Sequence, residues 1–189
     1  MARPRSYDDD LRRRLIGCAS EALSAHGSDA LSLRAVATAA GTTTAAVYAL
    51  FGGREELLAA VVGEGFERFG RHLAAVPRTH DPRADLFALG LAYRANALAN
   101  PHFYRAMFAS GTYRSSDDTL GEPTFLVLLE AASRVLEAAG AARPSPEELA
   151  LHLWGLTHGL VGLELAGLLP GTPAEHAERY AAALLRERR

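Results

Sequence analysis

Lysine is absent from this chain, and all 20 of its Lys and Arg positions are arginine. A guanidinium offers a planar fork that donates two bonds at once, which suits phosphate. The accompanying excess of Arg, Ala and Gly fits a GC-rich coding sequence just as well. Cysteine is nearly absent: the single Cys18 excludes an internal disulfide and fits a reducing compartment. It falls with Leu15 and Ala22 on the apolar side of the first helix, the position of a small buried thiol. Neither sign of charge is in excess. A formal net charge of −2 excludes coating nucleic acid by bulk electrostatics, although reading one DNA site needs only a local basic surface. The opening MARPRSYDDD holds no apolar run, so no secretion signal is expected and the cytoplasm is the expected compartment. Period-two alternation, internal repeats and low-complexity tracts are missing, which leaves an all-α fold. With 49% hydrophobic and 22% charged residues, the 189-residue chain can bury a core as one or two small domains.

Catalytic signatures are missing too. Seven histidines invite a search for metal ligands. His152 and His158 stand six apart on one helix, however, and no HExxH, clustered cysteine or carboxylate pair at ligand spacing accompanies them. There is no GxSxG, phosphate loop or dinucleotide fingerprint, and Cys18 has no evident base partner. The expectation is therefore no catalytic residue, no metal, no cofactor and no enzyme. A membrane span is excluded as well. Leu149 to Leu169 has the length for one, but it contains His152, His158, Glu164 and four glycines and begins at a capping box.

What is present centres on LSLRAVATAAGTTTAAVYALF, residues Leu31 to Phe51. Ser32 is placed to cap a short helix from Leu33 to Ala39, with Leu33, Val36 and Ala37 on its apolar side. Gly41 supplies the positive φ that a sharp inter-helix turn requires. Thr43 is placed to cap a second helix on which Ala46, Val47, Leu50 and Phe51 face inward. Thr42, Thr44, Ala45, Tyr48 and Ala49 are then left outward. Small hydroxyls and methyls with one amphipathic ring are what a helix needs in a major groove, because bulkier side chains would hold it off the base edges.

Ahead of the hairpin, Met1 to Tyr7 form a polar arm with Arg3 and Arg5. Asp8 to Asp10 open a helix carrying Arg12, Arg13 and Arg14, which either touch phosphate or pair with the aspartates. That helix ends at His26-Gly27. After the hairpin a helix runs from about Arg54 to Leu73, with Leu57, Leu58, Val61, Val62, Phe66 and Phe69 inward. Pro77 to Pro82 breaks the pattern and marks a domain boundary. The expected division is a helix-turn-helix domain over 1–53, a connecting helix over 54–76 and a helical effector-binding and dimerisation domain over 77–189. Within the last, Asp81-Pro82 starts a helix that ends near Asn100-Pro101, and the short HFYRAMF helix follows. A polar loop from Thr112 to Gly121 leads to a helix closed by Gly140. Ser145-Pro-Glu-Glu148 and Thr172-Pro-Ala-Glu175 are capping boxes with Pro at the first helical position.

The last two helices bear on assembly. Leu149, Leu153, Leu156, Leu160 and Leu163 make one apolar stripe, and Trp154, Val161, Leu165 and Leu168 make another. A helix apolar on two sides has to be covered on two sides. Ala174, Ala177, Ala181 and Leu184 on the final helix permit close approach, so a homodimer through these two helices is expected.

The segment from Leu11 to Leu58 resembles the DNA-binding head of the tetracycline-repressor (TetR) family of bacterial transcription regulators. The matching residues are Ala22-Leu23, Gly27, Leu33 to Ala37, Ala40-Gly41, Val47-Tyr48, Phe51 and Arg54 to Leu57. The resemblance implies a homodimer that binds a palindromic double-stranded operator, most often as a repressor, and that answers to a small-molecule effector. Ser32, Thr43 and Arg54 would hold phosphates, and Arg34, Thr42, Thr44, Ala45 and Tyr48 would meet bases or sugars. Many family members carry His just before the aromatic at Phe51, where this chain has Leu50, so a phosphate contact is lost or replaced. In LWGLTHGLVGLE, Trp154, His158 and Gly159 resemble the tryptophan–histidine–glycine signature of one C-terminal domain type of the family. ALANPHFYRAMF looks like the same domain. The implied effector pocket holds Tyr93, Phe103, Met107 and Trp154, with Tyr104 and Phe108 nearby and His158 as polar partner. A helical small-molecule-binding dimer that does not bind DNA is the alternative, kept open by Leu50 and by a nearly neutral head.

Overall fold

The computed structural model describes residues 5–27, 31–108 and 122–185, and of 5–8, 122 and 181–185 the backbone alone. The expected arm residue Arg3, the side chain of Arg5, the loop at 112–121 and the side chains of Ala181 and Leu184 lie outside the described set. The described residues form helices only: α1 (Arg5–His26), α2 (Leu33–Ala39), α3 (Thr44–Phe51), α4 (Arg54–Ala74), α5 (Pro82–Ala99), α6 (Pro101–Phe108), α7 (Glu122–Ala139), α8 (Pro146–Leu165) and α9 (Pro173–Leu185). The fold is all-α.

The helix boundaries follow local chemistry. Asp81 Oδ1 accepts from the amides of Arg83 and Ala84 and caps α5. Ser145 and Glu148 close a reciprocal capping box on α8, and Thr172 and Glu175 do the same ahead of α9. Each such cap is worth about 1 kcal/mol. Gly27, Gly41 and Gly140 end their helices at φ of 77°, 68° and 59°, a region that costs a side-chain-bearing residue about 1–2 kcal/mol.

Contacts divide the chain into two compact units, one from the described residues of Met1–Glu67 and Asn100–Leu120, the other from those of Arg68–Ala99 and Gly121–Arg189. The core of the first is Leu11, Leu15, Ile16, Ala19 and Leu23 of α1, packed on Val36, Val47, Phe51, Leu57 and Val61. Phe103 and Ala106 of α6 belong to this same core. By its contacts the HFYRAMF helix groups with the first unit, although in chain order it lies beyond the expected boundary at Pro77 to Pro82. The reason is that α6 buries Phe103, Tyr104, Ala106 and Met107, and α1 supplies an apolar side long enough to take α2, α3 and α6 together.

Gly65 permits the close crossing of α4 and α6. A Cβ there would stand 2.6 Å from Met107 Cγ and 2.7 Å from its Sδ. Gly→Ala inside a helix ordinarily gains up to about 1 kcal/mol. Met107 is 1% exposed, so shifting it aside displaces packed neighbours and overpacking is expected to reverse the sign. Gly65→Ala is expected to lose about 1–2 kcal/mol. A rise in melting temperature would show that Met107 can move aside.

In the second unit α5 packs against α7, α8 and α9, and α8 against α7 and α9. The buried line of α8 is Leu149, Ala150, Leu153, Thr157 and Val161, which differs from both expected stripes. Leu151, Trp154, Leu163 and Leu168 remain exposed. With apolar residues all round α8, spacing could not choose the inward face. Glu164 chooses it, because the carboxylate turns inward to meet partners on α5 and α9.

Candidate functional sites

The helix-turn-helix is built as its local chemistry requires. Ser32 Oγ accepts from the Ala35 amide and Thr43 Oγ1 from the Ala46 amide, so both short helices start at side-chain caps. Val47 and Phe51 anchor α3 in the core, and Ala46 and Leu50 pack at its edge. On the opposite side Tyr48 is 57% exposed. Ala45 and Ala49 are exposed beside it, and Thr42 and Thr44 are half-buried. Arg34 is exposed on α2. Its backbone carbonyl accepts from Thr38 Oγ1, while its side chain stands on the same helix as the Ser32 cap. Arg54 is half-buried at the start of α4, and its Nε donates to Leu31 O at 3.4 Å. That bond holds the guanidinium stem beside the entry to α2. All eight residues expected to meet DNA thus belong to one unit.

The arginine triplet of α1 resolves into different roles. Arg13 pairs with Asp10. Arg12 turns instead to the end of α3, where its Nη1 donates to Leu50 O at 3.3 Å and its guanidinium lies 4.6 Å from the Phe51 ring centroid.

The residues expected to hold an effector are not all in one unit. Phe103 and Met107 are in the first, and Tyr93, Trp154 and His158 in the second. There Tyr93 Oη and His158 Nδ1 are hydrogen-bonded at 2.9 Å. Phe69 meets the Tyr93 ring edge-on at 4.9 Å, and Trp154 stands 6.1 Å from Phe125 and 6.5 Å from His158 between ring centroids. Burial pushes the His158 imidazole below its ordinary value, so a neutral ring faces the phenol at neutral pH.

Two polar clusters escaped sequence reasoning. Glu164 receives Arg94 Nε at 2.8 Å and Nη2 at 2.5 Å, with His176 Nδ1 at 3.0 Å and Tyr180 Oη at 3.2 Å. The Arg94 bonds, and then those of His176 and Tyr180, bring its pKa down to about 2. Burial pushes the Tyr180 phenol up. The available signal was a lone carboxylate in the apolar run of α8. Near the start of α5, Asp85 takes the Thr79 hydroxyl at 2.6 Å, the Thr79 amide at 2.9 Å and Arg134 Nη1 at 2.7 Å. The two Thr79 bonds first, then Arg134, lower its pKa to about 2. Among the described residues no cluster of His, Cys, Asp and Glu could hold a metal, and no helix is long and apolar enough to cross a membrane.

A helical protein with a capped helix-turn-helix and a separate helical unit has the architecture of a DNA-binding regulator. The model of the "Bacterial regulatory proteins, tetR family" matches residues 15–61, and that of the "Tetracyclin repressor-like, C-terminal domain" matches residues 86–187. The chain belongs to the TetR family of transcriptional regulators. Its C-terminal match is to this tetracyclin-repressor-like domain, and the match does not by itself assign the tryptophan–histidine–glycine type expected from Trp154, His158 and Gly159.

Solved structures agree over nearly the whole chain. The putative regulatory protein SCO4313 is 28% identical, with 97% of each chain covered and a TM-score of 0.72. A protein of unknown function from Rhodococcus sp. RHA1 is 29% identical over 92% of this chain and 91% of its own, with a TM-score of 0.74. AibR, solved in complex with isovaleryl coenzyme A and operator DNA, is 18% identical over 91% of this chain and 96% of its own, with a TM-score of 0.75. At that identity it speaks for the fold alone. No curated protein matches.

Proposed function

We propose that this chain is a ligand-responsive repressor that binds a palindromic operator as a homodimer. The observation that carries the reading is the outward face of α3, where Tyr48 stands 57% exposed among threonine hydroxyls and alanine methyls. A helix in a major groove can read thymine methyls with Thr44 and Ala45 and a base edge or sugar with Tyr48. Ser32, Thr43 and Arg54 hold the flanking phosphates, and Arg34 and Thr42 complete the contact surface. The dimer axis coincides with the operator's pseudo-twofold. Retardation of the DNA upstream of its own gene in a gel is the direct test, and a purified dimer that retards no such DNA would sink it. Tyr48→Ala is expected to weaken specific binding roughly tenfold or more, in line with 1–3 kcal/mol for a lost base contact. Its melting should be unchanged, because the ring lies outside the core. A variant that unfolds would return Tyr48 to the core.

The effector site falls on Tyr93, Trp154 and His158, supported by their mutual contacts in the second unit. Phe103 and Met107, expected with them, belong to the first unit, where Phe103 is part of the core. A neutral His158 bonded to a buried phenol suits an uncharged polar group on an otherwise apolar or aromatic ligand. Switching from mostly bound to mostly free requires differential affinity of about 5 kcal/mol between two states of the dimer. The retardation gel repeated with a metabolite panel identifies the effector by loss of the shifted band.

A further inference from the structure

We infer that Arg12, on α1 outside the helix-turn-helix, is a phosphate-anchoring residue of the DNA interface. The inference rests on the DNA-binding reading above and extends it to a residue beyond the hairpin and Arg54. The placement starts from α3. Its last turn presents backbone carbonyls, the negative end of the helix dipole, which repel a phosphate approaching from that side. Arg12 stands at that end. Its Nη1 donates to Leu50 O at 3.3 Å and its guanidinium lies 4.6 Å from the centroid of Phe51.

Phe51 is 8% exposed and fixed in the core, so its ring is a rigid platform under a side chain that otherwise samples many rotamers. A guanidinium has five N–H donors, and the Leu50 carbonyl takes one. Arg12 is exposed, and among the described residues no carboxylate neutralises it. Its neighbour Arg13 is paired with Asp10 and serves as the natural contrast. A fork held at the C-terminal end of α3, with part of its ordering entropy already spent in the free protein, fits a phosphate flanking the groove. It also reverses the sign of the potential at the end of α3. Capping that end is the part Arg12 would play in the absence of DNA, so the test has to separate binding from folding.

The test uses the full chain and compares wild type, Arg12→Gln, Arg12→Lys and Arg13→Gln. Each binds its retarded operator fragment and an unrelated duplex across a salt series, and each is melted. Arg12→Gln is expected to weaken binding to both duplexes alike. It should flatten the log–log salt slope by about 0.9 per protomer, or about 1.8 for a dimer on one site. Its melting temperature should fall by only about 2–4 °C, the loss of one exposed helix-end and ring contact. Arg12→Lys should keep the slope and lose part of the affinity, since the charge remains and the fork does not. Arg13→Gln should leave the slope in place. A wild-type slope in Arg12→Gln, or a fall in melting temperature with the slope unchanged, overturns the inference and assigns Arg12 to capping alone. A loss confined to one base pair overturns it also. Wild type that binds neither duplex sinks the DNA-binding reading itself, an outcome distinct from all of these.

Discussion

Gly159→Arg is expected to leave the protein folded but monomeric at micromolar concentration, with its DNA affinity falling in step. A Cβ added at Gly155, Gly159 or Gly162 meets nothing within 4 Å in the chain. Gly159 is exposed, so an arginine there can extend into open space, and leaving Gly gains up to about 1 kcal/mol of helix propensity. The three glycines share the exposed side of α8 with Leu151, Trp154 and Leu163. Bare backbone flanked by exposed large apolar side chains is a surface suited to the close approach of a second helix. In the proposed dimer α8 and α9 meet their symmetry mates across an interface that should bury at least roughly 1,000 Å². Two arginines brought into one apolar seam near the twofold repel each other and lose their hydration. A cost of about 3 kcal/mol raises the dimer dissociation constant about a hundredfold. Sedimentation of wild type and variant, paired with their melting curves, checks this. A variant that stays dimeric places the interface elsewhere, and a wild-type monomer that grips a palindrome tightly removes the dimer from the mechanism.

Glu164→Gln should unfold the second unit far more readily, by about 3 kcal/mol or more at neutral pH, because breaking a buried ion pair leaves its partner uncompensated. Arg94 and Glu164 have 14% and 8% of their side-chain surface exposed. The amide keeps the shape and some hydrogen bonds but not the charge that holds Arg94 from α5 and His176 and Tyr180 from α9. The pH dependence follows from the lowered pKa. The folded-state value of Glu164 is about 2 against an ordinary 4.5. Its contribution is therefore fully present above 4.5 and is lost as pH falls through about 2. Wild type should lose stability across that window, and the Gln variant should lack that part of the loss. Denaturant unfolding at neutral pH and near pH 3 measures both. Equal acid sensitivity in the two proteins would mean that Glu164 does not carry the effect.

Much of this molecule is legible in its amino-acid sequence. The caps at Ser32, Thr43, Ser145 and Thr172 and the turn glycines at 27, 41 and 140 act through neighbours within a few residues. Residue type and spacing therefore determined where the helices begin and end. The same holds for the inward Val47 and Phe51 and the outward Tyr48 on α3, because an eight-residue helix with so few large side chains has only one apolar side. Three features were left to the tertiary structure. Helix α8 is apolar all round, and its inward face was chosen by Glu164 meeting Arg94, 70 positions away. Helix α6 grouped with the first unit because α1 offered an apolar side that chain order does not disclose. Arg12, Arg13 and Arg14 look alike in sequence, and the turn of α1 alone aimed Arg12 at the end of α3. In each case the deciding partner is distant along the chain, where loop closure and packing determine who meets whom and local propensity carries no information.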